Sequence, residues 1–147
     1  MSEHAVIWEP VSGIGSPCAE LSFSLEPSRG LKVLMHFSKV KDGPTLDLEL
    51  LFSGAITLRW ADEFTGSVFH PMSVPAPKCR NERWSKWVFP LLIIQESSWL
   101  VTYQSIPEIP GTQNLQHFAL ICMNDLLDIA AMPNVAARWV TPTHSIA

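Results

Sequence analysis

Charge is scarce in this sequence: Asp, Glu, Lys and Arg together make up 16% of 147 residues, against 47% apolar residues. So little charge beside so much apolar character excludes a disordered or coiled-coil chain, and a chain of this length buries roughly 70% of its extended surface in one core. A basic excess is also missing, with 10 Lys plus Arg against 14 Asp plus Glu and a single cationic stretch, Lys78-Cys79-Arg80-Asn81-Glu82-Arg83. That balance speaks against nucleic acid, whose binding rests on phosphate neutralisation. The longest apolar run, Trp87 to Ile94, is broken by Pro90 and falls far short of the roughly 20 residues needed for a membrane span. The first residues carry Glu3 and Glu9 in place of Lys or Arg and hold no long apolar stretch, unlike a secretory leader. Cysteine is limited to Cys18, Cys79 and Cys122, an odd number without a CxxC pair, which suggests reduced thiols and a cytoplasmic location. Neither GxGxxG nor GxxxxGK[ST] occurs, and the five histidines show no HxxxH or HxH spacing. Hence no cofactor and no metal are expected.

What the chain does contain is alternation. Glu20-Leu21-Ser22-Phe23-Ser24-Leu25-Glu26 switches between polar and apolar without a fault, the period of a strand with one wet face. After a turn at Pro27-Ser28-Arg29-Gly30, the segment Lys32 to Val40 sends Val33, Met35 and Phe37 to one side and Lys32 and His36 to the other. Lys41-Asp42-Gly43-Pro44 then ends the hairpin. Leu46, Leu48, Leu50 and Phe52 alternate on one arm, and Ile56, Leu58 and Trp60 on the next. A two-residue loop would set Leu50 against Thr57, whereas the three-residue loop Ser53-Gly54-Ala55 pairs Leu50 with Leu58, Leu48 with Trp60 and Glu49 with Arg59. The second register predicts a hairpin there.

Prolines 71, 75 and 77 leave residues 62–86 without a period, so an irregular segment is expected. Val88 to Ile94 is apolar on both faces, the pattern of a covered strand with Pro90 at its start. Ser97 is placed to cap a short helix through Tyr103, with Trp99 and Tyr103 one turn apart. His117 to Met123 reads as a strand, Asn124 as the cap of a second helix containing Asp125 and Asp128, and Val135 to Val140 as a returning strand. The sum is an α+β domain over residues 1–147, a largely antiparallel β-sheet with two short helices from the second half. Residues 1–16 and 141–147 are expected at its periphery.

Candidate chemistry is sparse. A metal site would require distant residues, His36, His70, Cys79 and His117, and isolated histidines on strands are more often satisfied polar residues than ligands. Cys79 has cationic neighbours and His70 nearby in sequence, but no glycine elbow or helix start supplies oxyanion donors. Asp62 and Glu63 end a strand, and adjacent strand residues point to opposite faces, which spoils a shared acid-base site. Six tryptophans are present, and Trp84 and Trp87 lie with Arg83 in the irregular segment, the residue types that anchor protein interfaces.

The second half, roughly 89–140, resembles a loose group of small bacterial proteins that includes immunity-type proteins of polymorphic toxin systems. The resemblance lies in Gln95-Glu96-Ser97 running into Trp99-Leu100, in His117-Phe118-Ala119-Leu120, and in Asn124-Asp125-Leu126-Leu127-Asp128-Ile129. It implies a non-enzymatic role, binding and neutralising a toxin domain, with the acidic balance facing a basic nuclease surface. On this reading Arg83, Trp84, Trp87, Asp62 and Glu63 are partner contacts, and the chain is a monomer or homodimer. The alternative is a small enzyme or ligand-binding protein with a pocket lined by His36, His70, Cys79 and Trp84.

Overall fold

A computed structural model describes residues 3–37, 46–62, 76–104 and 114–142. Among them are nine strands: β1 (His4–Ile7), β2 (Cys18–Glu26), β3 (Gly30–Phe37), β4 (Asp47–Phe52), β5 (Ala55–Asp62), β6 (Leu91–Gln95), β7 (Gln116–Ile121), β8 (Asp125–Ala131) and β9 (Val135–Val140). One α-helix, α1 (Ser98–Gln104), and a 3-10 turn at Glu82–Trp84 accompany them. The strands form two sheets, ordered β1-β6-β7-β8-β5 and β2-β3-β4-β9, and every named pairing is antiparallel.

The alternating residues of β3 and β4 do what their period requires. Leu31, Val33, Met35, Leu48, Leu50 and Phe52 are fully buried. They meet Phe118, Leu120, Leu127 and Ile129 of the other sheet in one apolar cluster. Phe52 and Phe118 stack edge to face at 5.3 Å across the sheets, with the Trp8 ring 4.7 Å from Phe118. Trp8 draws the N-terminal segment onto this core, and β1 extends the five-stranded sheet beside β6. Gly30 turns β2 into β3 at φ 103°, and a Cβ there would lie 2.3 Å from the Phe52 carbonyl oxygen. No larger residue fits that approach.

Three expectations need correction. The hairpin of β4 with β5 does not form: β4 lies between β3 and β9, while β5 pairs with β8 in the other sheet. Ser53-Gly54 is thus a crossing between sheets, and Glu49 meets Arg138 at 2.9 Å instead of Arg59. Alternation marks a strand and its inner face but leaves its neighbour open, because any complementary strand satisfies the same pattern. The helix placed after Asn124 is the strand β8. Met123 and Asn124 form a two-residue loop, closed by the Cys122 N–H donating to the Asp125 carbonyl at 2.8 Å. Six of the seven β8 residues are buried, since sheet and α1 cover both faces. That double burial erases the alternation and leaves a Leu/Ala-rich run that imitates a helix. Among the described residues the fold is therefore a sheet-dominated, antiparallel assembly with one α-helix. Finally, Cys18 and Cys122 are not separate thiols: they form a disulfide, with Cα atoms 4.6 Å apart, that ties the start of β2 to the end of β7. Cys79 alone is free.

Candidate functional site

The five-stranded sheet has an outer face, and α1 lies on it. Cross-strand register puts Arg59 of β5 directly opposite Asp128 of β8, and Asp128 opposite Ala119 of β7. The small side chain of Ala119 leaves room for His117, two residues earlier on the same face, to reach the aspartate diagonally. The result is a continuous polar chain. Ser97 Oγ lies 2.7 Å from His117 Nδ1, His117 Nε2 lies 2.6 Å from Asp128 Oδ1, and Arg59 Nε donates to Asp128 Oδ2 at 3.1 Å. Asp128 is completely buried and His117 and Ser97 nearly so. In the tautomer with its proton on Nε2, His117 donates to Asp128 Oδ1 and leaves Nδ1 to accept from the serine hydroxyl. Trp99 closes the cluster from above, its ring 4.9 Å from the imidazole and 4.4 Å from the Arg59 guanidinium carbon, and packs against Tyr103 at 5.9 Å.

Serine, histidine and aspartate in sequence invite a comparison with nucleophilic catalysis. Both capacities of Ser97 are in use, however: besides His117, its oxygen accepts the Leu100 N–H at 3.3 Å as the cap of α1. The neighbouring Ser98 N–H, which an oxyanion would need, is held by the Glu3 carboxylate at 3.0 Å. An open groove of about 450 Å³ runs past Ser97 between Leu100, Gln104 and Gln116. Yet the hydroxyl itself is committed beneath the helix. The network acts as a clamp that fastens α1 to the sheet and satisfies a buried carboxylate. The sequence pattern hides it, because Asp128 reads as part of a helix start and Arg59 as the partner of Glu49. The available signal was an acid and a histidine within runs otherwise apolar on both sides, where a charge requires a partner.

The other histidine and cysteine candidates are dispersed. His36 faces outward from β3, bonded to Asp47 at 2.7 Å, on the side of the sheet opposite the core-facing Met35. Cys79 belongs to the core cluster, where burial pushes its thiol up from the ordinary value, partly offset by a backbone hydrogen bond. The two do not share a pocket. Asp62 ends β5 opposite Asp125. Glu63 and His70 lie outside the described residues. Among the described residues no group of three His, Cys, Asp or Glu side chains is placed to hold a metal ion.

The irregular segment does gather the three aromatic and arginine candidates. Residues 78 and 88 bridge antiparallel, and the chain between them makes the 3-10 turn, capped by the Asn81 side chain accepting from Arg83 N. Trp84 leans on the core while Trp87 stands 44% exposed, the two rings edge to face at 6.3 Å. Arg83 lies over the Trp84 ring at 5.0 Å. Beside Trp87 is a shallow hollow of about 240 Å³, lined by Pro17, Lys86, Val88 and Met123 and floored by Cys122 of the disulfide. Met123 is itself 38% exposed, so ring and thioether form one apolar patch. Lys86 lines the hollow, and the stretch from Lys78 to Trp87 that carries it is basic, with Lys78, Arg80, Arg83 and Lys86 against Glu82. Arg80 is engaged by Glu9 at 2.7 Å. Among the described residues Lys78, Arg83 and Lys86 form no ion pair.

Set against known protein families, curated proteins and solved structures, the chain has no match. No described helix is long and apolar enough to cross a membrane.

Proposed function

We propose that this protein works by binding another protein through the face centred on Trp87, with an immunity-type inhibitor of a toxin domain as the specific case suggested by the resemblance of residues 89–140. The observation that carries the reading is the exposed Trp87–Met123 patch with Lys86 at its hollow and with Lys78 and Arg83 nearby in the chain, none of the three in an ion pair among the described residues. A large ring beside a flexible thioether supplies contact area at low conformational cost. Surrounding cations select an acidic partner and speed its approach. The local sign matters: the chain as a whole is at −4, so a toxin with a basic surface would meet some other face, and the one docking here presents carboxylates around an apolar cavity.

The cytoplasmic expectation rests on unpaired thiols. With Cys18 bonded to Cys122, an oxidising compartment fits the chemistry better.

The experiment is capture on the immobilised chain followed by identification of the retained protein and titration of the purified pair. Trp87→Ala is expected to weaken binding at least tenfold and Lys86→Glu to lower the association rate. Equal affinity of wild type and Trp87→Ala for that protein overturns the reading.

A further inference from the structure

Strand β2 ends its sheet, and of its apolar stripe Phe23 is 40% and Leu25 75% exposed. Edges of this kind are normally guarded by shortness, Lys, Pro, a bulge or a covering segment. The other edges among the described residues carry such guards. β1 has only four residues, β5 is broken by a bulge at Ala55/Thr57 and carries Arg59, and β9 is capped by the Trp139 indole donating to the Ser12 carbonyl and contains Arg138. β2 runs for nine residues; its one irregularity lies at its start, between Cys18 and Glu20, and from Glu20 to Glu26 it has no Lys, no Pro and no bulge.

We infer that β2 is a self-association edge, pairing antiparallel with β2 of a second copy about a two-fold axis through Ser22. The register follows from elementary constraints. A two-fold axis between residues sets Leu21 against Ser22 and mixes the faces, so the axis passes through a residue. An axis at Phe23 opposes Glu20 to Glu26 at both ends, placing like charges face to face. An axis at Ser24 discards most of the strand, and one at Leu21 leaves Leu25 unmatched. The axis at Ser22 pairs Leu21 with the second copy's Phe23, Glu20 with its Ser24, Leu25 with its Ala19 at the Cys18/Glu20 irregularity, and Ser22 with itself.

Charge supports a second copy as the occupant. Within the sheet Glu20 neighbours His36 on β3, and Ser24 neighbours Lys32. Across the axis each row reads His36, Glu20, Ser24, Lys32, so the other copy's Lys32 ammonium, which sits 3.8 Å from Glu26 of its own chain and is partly exposed, has only a serine between it and the Glu20 carboxylate. Two strand spacings, about 9.6 Å, are within the combined reach of Glu and Lys side chains. The apolar rows become Met35, Leu21, Phe23, Val33, continuing the inner layer from one copy into the next.

The test is the sedimentation of the intact chain over a wide concentration range, with Ser22→Lys and Ser22→Cys as variants. Ser22 is exposed, so neither disturbs the core. Wild type is expected to dimerise reversibly. Ser22→Lys, which opposes two ammonium groups on the axis, should sediment as a monomer with an unchanged melting temperature. Ser22→Cys should oxidise to a covalent dimer, since directly opposed residues lie about 4.5 to 5.5 Å apart, within disulfide range. Phe23→Cys should not. A wild-type monomer at every concentration, a dimer indifferent to Ser22→Lys, or cross-linking through Phe23→Cys in place of Ser22→Cys each overturns the inference.

Discussion

Arg59 and Asp128 stand opposite one another across the β5–β8 ladder, joined at 3.1 Å, although 69 residues separate them in sequence. Through that contact, and through His117 on its other oxygen, the fully buried Asp128 carboxylate holds sheet and helix together. Removing it leaves an imidazole and a guanidinium facing an apolar hole. Asp128→Ala is expected to cost about 3–5 kcal/mol in urea unfolding. Ser97→Ala, which removes one cap, is expected to cost about 1 kcal/mol. Were Ser97→Ala the more damaging of the two, the clamp would have been assigned to the wrong residue.

This network also shows where sequence reading stops. The inner faces of β3 and β4 were legible because they alternate: Val33, Met35, Leu48 and Leu50 had one place to go. The cap at Ser97 and the turn-spaced Trp99 and Tyr103 were legible because helix ends and faces are local properties. Strand partners are not local. Glu49 opposite Arg59 and Glu49 opposite Arg138 are equally good charge pairs, and only the crossing at Ser53-Gly54 decides between them. β8 was illegible for a different reason, since a strand buried on both faces has no period to read. The clamp is hidden with it, because two of its four members, Arg59 and Asp128, lie on strands whose pairing or type the local pattern does not reveal.

The disulfide sets a second expectation. Cys18 and Cys122 are 104 residues apart. Closing so long a loop stabilises the fold by about 4–5 kcal/mol in the chain-entropy account. Thiol titration of the unreduced, denatured chain should find one free cysteine, Cys79, and three after reduction. Reduction should lower the unfolding midpoint substantially. Three free thiols before reduction would contradict the pairing.

Cys79 should behave as a buried, neutral thiol. Burial raises its pKa, so below the titration range of an unfolded cysteine its proton costs the fold nothing. As the pH rises above about 8.5, the unfolded chain ionises more readily than the folded one, and stability should fall. Alkylation at neutral pH should proceed far more slowly than that of a free cysteine. Rapid labelling in the native state would refute this placement.

Trp84 and Trp87 are expected to separate. Trp84 packs on the core, and its indole N–H is buried without an acceptor among the described residues. Trp84→Ala should therefore destabilise by about 3 kcal/mol. Trp84→Phe should be milder, because it removes the unpaired donor along with part of the ring. Trp87→Ala should leave the melting temperature within a degree or two of wild type. Equal stability losses at the two positions would place both rings in the core.

The most direct measurement is the dissociation constant of the captured partner for wild type, Trp87→Ala and Ser97→Ala, taken under conditions where all three are folded. A loss of about 2 kcal/mol with Trp87→Ala, and none with Ser97→Ala, is expected of a protein that acts through the Trp87 face. Unchanged affinity at Trp87 together with a loss at Ser97 would contradict it, and would move the functional centre to the groove beside α1.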